Sequence, residues 1–227
     1  MNSTRRPIYM SFILAFFLSI SSAWAKKSLP EVNDEGMELV KNSKLATVYA
    51  DPGVDLGVYK QVLLEDATVA FKKNWKRDQN RYQPLKVRDS DMLVIEEDVS
   101  KLFREVFTEE LIEGGYELAT ESGADVLKIS PAIVDLDVYA PDTRNSVGRS
   151  NSYSESAGEM TLNLELFDSL TGDKIAKATD RKRDFQRGYL EWRTSVSNRA
   201  TAKRMMRQWA KALRSALDEA RSSTSNR

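Results

Sequence analysis

The sequence predicts an α+β fold: a mostly antiparallel sheet with two helices packed on one face, a two-layer sandwich. Three observations carry this. Apolar and polar residues alternate after position 125 and again after position 158, the period of a half-buried strand. Apolar residues recur twice at helical spacing, first at Val99, Leu102, Phe103, Val106, Phe107 and Leu111, then at Met206, Trp209, Ala210, Leu213 and Leu217. Tight turn signals separate the strands, which favours antiparallel neighbours.

Each element follows in order. Residues 26–45 are mixed and polar and read as an N-terminal arm. Residues 46–50 form a short strand, closed by the turn Asp51-Pro52-Gly53, where proline presets one dihedral and glycine accepts a positive one. Residues 61–71 read as a single strand with Val62 and Leu64 on one side. Residues 72–88 are charged and rich in amides, so they read as a loop pinned by Trp75 and Tyr82. The first helix ends at Gly114-Gly115, since glycine takes the left-handed cap without penalty. Strands follow at 116–119 and 125–139. In the second, Val134, Leu136 and Val138 alternate with Asp135 and Asp137, so one face is buried and the other wet. Pro131 cannot donate to a ladder and suggests an edge or a bulge. Met160, Leu162, Leu164 and Leu166 then point one way, and Glu159, Thr161, Asn163 and Glu165 the other. Residues 170–173 make a hairpin loop to a return strand at 174–183. The last helix runs from about Asn198 to Ala220 and carries a basic face of Lys203, Arg207, Lys211 and Arg214. The expected organisation is one domain over residues 46–220, with a disordered tail at 221–227.

The N-terminus reads as an export signal. Arg5 and Arg6 precede an apolar run from Ile8 to Ile20, and Ala23-Trp24-Ala25 offers small residues at the two positions a peptidase reads. Cleavage after Ala25 leaves a chain with no further stretch of membrane-spanning length. The expected location is periplasmic or secreted. No cysteine ends the leader to receive a lipid. With 34 basic and 34 acidic side chains the 227-residue chain is neutral overall, so the footprint of a nucleic-acid binder is absent. Cysteine and histidine are both missing. That excludes thiolate nucleophiles, His-ligated metals and Ser-His-Asp triads, and neither a P-loop nor a G-x-G-x-x-G turn occurs. No catalytic residue, cofactor or metal is expected.

Four segments carry a family resemblance: "PGVDLGVYKQVLLEDATVAF", "GGYELATESGADVLKISPAIVDLDVYAPD", "SAGEMTLNLELFDSLTGDKIAKATDR" and "WRTSVSNRATAKRMMRQWAKALRSALDEA". Together they resemble the bacterial domain-of-unknown-function family numbered 3313, over roughly residues 36–220. The most specific part is Ala157 to Gly172. The resemblance implies an exported bacterial protein of one domain and no particular reaction. Many members are lipoproteins, from which this chain departs by lacking the lipobox cysteine.

The candidate site is the stretch "GRSNSYSESAGEM", residues 148–160. Residues 140–157 show no periodicity over a length uncommon in compact domains, where such loops are functional or disordered. Arg144, Arg149, Tyr153, Ser154 and Glu159 offer forked donors, an aromatic face, a hydroxyl and a carboxylate, a mix that serves recognition. Composition alone leaves binding and disorder both open, and the resemblance, whose motif begins here, favours binding. The acids Asp135, Asp137, Glu159 and Glu165 could do glycosidase-type work or hold calcium, but acids alternate with apolar residues on any half-wet sheet. The expected function is a non-catalytic accessory or binding module of the bacterial envelope, with an envelope protein or glycan as partner and a weak membrane-surface contact through the basic helix. The alternative is a periplasmic hydrolase using carboxylates and hydroxyls.

Overall fold

The computed structural model describes residues 29–82, 86–138, 152–154, 158–184, 191–193 and 195–225. In chain order its elements are β1 (Glu38–Leu39), β2 (Thr47–Ala50), a 3-10 turn (Leu56–Val58), β3 (Gln61–Leu64), β4 (Thr68–Phe71), α1 (Trp75–Tyr82), α2 (Asp89–Glu113), β5 (Glu117–Leu118), β6 (Val126–Val138), β7 (Ser152–Ser154), β8 (Gly158–Asp168), β9 (Lys174–Arg183), β10 (Glu191–Arg193) and α3 (Ser195–Ser225). The main sheet has the order β1-β2-β9-β8-β6-β3-β5, and β4 also lies on β6. Its half from β1 to β6 is antiparallel, while β3 and β4 run parallel to β6 and β5 parallel to β3. The α+β class and the mostly antiparallel sheet therefore hold. The arm at 26–45 contributes β1, and the last helix continues past Ala220 to Ser225.

The two-helix picture is corrected by α1, which occupies the segment read as a loop. Its sequence, WKRDQNRY, offers too few apolar positions for a periodicity to be read. One ring anchors it. Trp75 is buried, stacks on Phe71 at 4.2 Å and donates its indole N–H to the Val138 carbonyl at 3.2 Å. Asn80 then ties the following connection by accepting from the Val87 N–H and donating to its carbonyl. The 25-residue α2 also starts earlier than its apolar stripe. The Asp91 carboxylate accepts the Arg88 N–H at 2.9 Å, and Asp89 and Asp91 sit where the helix dipole favours negative charge. Gly115, at φ 76°, closes it as expected. Gly53 does not have a positive φ; its N–H is held by the Asp51 side chain instead.

Pro131 lies neither on an edge strand nor at a bulge of its own, for β6 is flanked on both sides. The interruption falls on the neighbour. The Ile129 carbonyl accepts from the Glu65 N–H, so the next donor on that side of β6 would be the N–H that Pro131 lacks. There the single strand expected over 61–71 breaks into β3 and β4.

One face of the sheet packs on α2 and α3. Leu127, Ile129 and Ile133 of β6 and Leu162 and Leu164 of β8 meet Phe103 and Phe107, stacked at 3.9 Å, and Met206 and Trp209. Each such side chain contributes about 1.5–3 kcal/mol by leaving water. Trp209 donates its indole N–H to Asp180 at 2.7 Å, and the other oxygen of that buried acid accepts the Ala46 N–H. The two helices run parallel and are zipped by charge. Arg199 and Lys203 reach Glu105, Lys203 and Arg207 reach Glu109, and Arg214 reaches Glu110 and Glu113. Most of the basic face of α3 is thus engaged within the chain. Among the described residues no helix is long and apolar enough to cross a membrane.

Candidate functional site

The end of the sandwich where both helices begin is shaped by a bulge in β6. Val134 pairs with Thr161 and Asp137 with Glu159, so three steps on β6 match two on β8. Asp135 absorbs the extra residue at φ 50°, and β4 shifts its register at the same place. The bulge reverses which residues face the helices. Ahead of it Ile133 does so; beyond it Leu136 does, and Asp137 turns to the other face. Asp137 is therefore opposite Glu159, yet both are buried, which corrects the expectation that they line a wet face.

At the start of β8, Gly158 lies opposite Val138 with φ 132°. A Cβ there would stand 1.9 Å from the Asp137 carbonyl oxygen, so no other residue fits without moving the strand. This accounts physically for a glycine in the motif that carries the family resemblance. The next two residues divide between the faces. Met160 enters the core and Glu159 joins a charge cluster.

In that cluster the Lys72 ammonium lies 3.0 Å from Asp137 Oδ2 and 3.5 Å from Glu159 Oε1. The other Glu159 oxygen takes Arg181 at 2.6 Å, with Arg183 at 3.9 Å. The acids are covered and the cations half exposed. The Arg181 guanidinium holds the Glu159 carboxyl below its usual range despite burial, and Asp137 raises the Lys72 ammonium. Both shifts favour the charged forms of Glu159 and Lys72.

On the helix side of the same strand ends is an apolar cavity of about 230 Å³. Ile95, Val99 and Leu102 of α2 wall it, with Leu136, Val138 and Met160 of the sheet and Ala202 and Met205 of α3. Asp98, Asn198, Arg199 and Thr201 supply its polar groups. Small residues on α3 leave the space.

Of the residues named from sequence, Glu159 is in the cluster. Tyr153 and Ser154 lie in β7, where Tyr153 is opposite Trp192 of β10. The stretch read as lacking regular structure thus contains a strand, too short and polar to show a period. Arg144 and Arg149 lie outside the described residues. Glu165, weighed as a catalytic acid, pairs with Lys174. Sequence reasoning missed Lys72, Arg181 and the cavity. Arg181 and Arg183 could have been found only in part, because the hairpin at 170–173 returns β9 along β8 while a register shift between Leu166 and Phe167 sets Glu159 opposite Arg183. Lys72 could not, since its approach depends on β4 running parallel to β6. Among the described residues no group of His, Cys, Asp or Glu is arranged to hold a metal ion.

The fold and site define an α+β sandwich with helices on one face and, at one end, an ion-paired cluster backed by an apolar cavity. Residues 32–213 match the family described as Protein of unknown function (DUF3313), and the chain belongs to that family. No curated protein matches it. Among solved structures it is similar to PelC from Paraburkholderia phytofirmans, crystallised as a dodecamer, at 13% identity over 74% of this chain and 96% of that one, with a TM-score of 0.38. It is similar to protein XCC0632 from Xanthomonas campestris at 13% identity over 78% and 94%, TM-score 0.42. A DUF4136 family protein from Bacteroides thetaiotaomicron follows at 12% identity over 78% and 93%, TM-score 0.30.

Proposed function

We propose that this protein is an exported, non-catalytic binding module of the bacterial cell envelope, with its site at the end of the sandwich where α2 and α3 begin. The observation that carries the reading is the apolar cavity beside the charge cluster: a concave apolar surface with a few polar groups is the usual form of a binding site. The connection from Val138 to Gly158 leaves and re-enters the fold at this rim. We therefore assign recognition to Arg144, Arg149, Tyr153, Ser154 and Glu159, with the cavity taking an apolar group of an envelope protein or glycan. Export rests on the leader, whose charged start, apolar run and Ala23-Trp24-Ala25 ending support cleavage after Ala25.

The hydrolase reading is weaker. Asp137 and Glu159 reach one lysine, so they are close enough for two-carboxylate chemistry. A general acid at neutral pH needs a raised pKa, and Glu159 is shifted the other way.

Two variants test the binding reading. Ala202→Phe fills the cavity from α3 and should abolish the fluorescence enhancement of anilinonaphthalene sulfonate with the unfolding midpoint kept. Arg149→Ala with Tyr153→Ala should lower capture of the native envelope partner at least tenfold, about 1.4 kcal/mol, again without loss of stability. Wild-type behaviour in both would overturn the assignment.

A further inference from the structure

The main sheet ends in strands of unequal defence. At its two ends β1 and β5 are two residues each, which is one way proteins blunt an edge. The outer side of β4 is different. Thr68–Phe71 is four residues long with no charge or proline within it, and the register shift between Val69 and Phe71 puts its extra residue on β6. Its polar groups can be assigned by parity. The Lys72 N–H bonds the Leu136 carbonyl, so Thr68, Ala70 and Lys72 turn their backbone groups toward β6. Ala67, Val69 and Phe71 turn theirs outward. The Ala67 carbonyl is taken by the Ser100 hydroxyl of α2 at 2.8 Å. Among the described residues no hydrogen bond reaches the outward N–H and C=O of Val69 or Phe71.

We propose that this edge is a self-association surface, on which two copies of the protein pair antiparallel about a twofold axis at Ala70. In that register Val69 of one copy exchanges hydrogen bonds with Phe71 of the other, and Ala70 faces its own mate. Three features favour a second copy over an unrelated strand. The segment is acidic at its start, Glu65-Asp66, and basic at its end, Lys72-Lys73, so antiparallel self-pairing sets opposite charges together where a parallel arrangement would oppose like ones. Ala70 is small and exposed, which allows close approach on the axis. Leu93 of α2 is 65% exposed and shares a helical stripe with Ser100 and Arg104, whose side chains bind the Ala67 carbonyl and the Asp66 carboxylate beside this edge. A mate on the edge would cover it. This surface is separate from the cavity and does not depend on the binding function assigned to that end.

The chain has no cysteine, so one introduced thiol reports the register without interference. A residue facing its mate in a non-hydrogen-bonded antiparallel pair has a Cα separation of about 4.5 Å, within the disulfide range that begins at about 4.4 Å. Ala70→Cys in the purified protein should give a covalent dimer on mild oxidation at least tenfold faster than Leu170→Cys, another exposed thiol, on the β8–β9 hairpin. By sedimentation velocity the parent protein should show a concentration-dependent dimer. Two variants should shift it to monomer while keeping the unfolding midpoint: Val69→Pro, which removes an outward N–H and no sheet hydrogen bond, and Ala70→Lys, which places two ammonium groups on the axis. A protein that stays monomeric to about 100 μM would overturn the proposal. So would equal cross-linking rates, or a dimer that persists in Ala70→Lys. Cross-linking in cells to a different protein alone would assign the edge to that partner and overturn self-association.

Discussion

The two ends of the parallel helix pair are built on opposite plans. Where α2 and α3 finish, tyrosine–carboxylate pairs close the sandwich. Tyr116 donates to Asp218 at 3.0 Å under the Arg221 guanidinium, 3.6 Å above its ring, and Tyr59 donates to Asp168 at 2.8 Å. Burial pushes the Tyr59 phenol up to about 12, with Asp168 adding to it. Where the helices start, Asp137 and Glu159 are paired with lysine and arginine, and Ala202 leaves space on the cavity wall. A neutral donor on a large ring plugs that end. Arg214 also pairs with Glu110 and Glu113 at the closed end, so the tyrosine rings there, and not an absence of ion pairs, distinguish it from the end with the cavity. The described cavity lies at the end where the helices begin.

Substitutions at both ends test this difference. The largest effect is expected at Trp209, the largest of the fully buried side chains. Trp209→Ala should cost about 3–5 kcal/mol in chemical denaturation, because it opens a cavity and strands Asp180. A smaller effect would mean that the helix layer relaxes more readily than the packing suggests. Glu159→Gln should cost about 1–2 kcal/mol, discounted because its cations are half exposed. Its pH dependence has a definite sign. The folded pKa lies below the ordinary 4.5, so the carboxylate contributes stability above about that pH and loses it as pH falls. The variant should therefore flatten the acid limb of the stability profile; an unchanged limb would remove Glu159 from the cluster's energetics. Tyr116→Phe, at the plugged end, should cost about 1 kcal/mol with no change below pH 8. Arg207→Ala should fall below about 0.5 kcal/mol, since its pair with Glu109 is exposed on both sides.

How much of this was legible depends on how local each determinant is. The α2 stripe, the alternation of β8 and the hairpin at 170–173 are set by near neighbours in sequence, and the structure matches them closely. The bulge at Asp135 is not of that kind. It is decided jointly by β4, β6 and β8, and it exchanges the faces of Leu136 and Asp137 without changing any residue type. The break opposite Pro131 is similar, because the proline was visible but its effect falls on another strand. The candidate site sits where these non-local decisions meet. Glu159 could be singled out from its motif, while its partner Lys72 reaches it only through the parallel pairing of β4.

The placement of α3 has a consequence for how the chain is made. Met206, Trp209, Leu213 and Leu217 complete a core whose sheet is supplied by residues far earlier, and Arg221 returns to the carbonyls of Tyr59 and Lys60. Until α3 emerges, the part of the sheet's apolar face that it packs on lacks that cover. The nascent chain therefore cannot commit to its native state early, because its longest-range contacts come last and carry the highest closure cost.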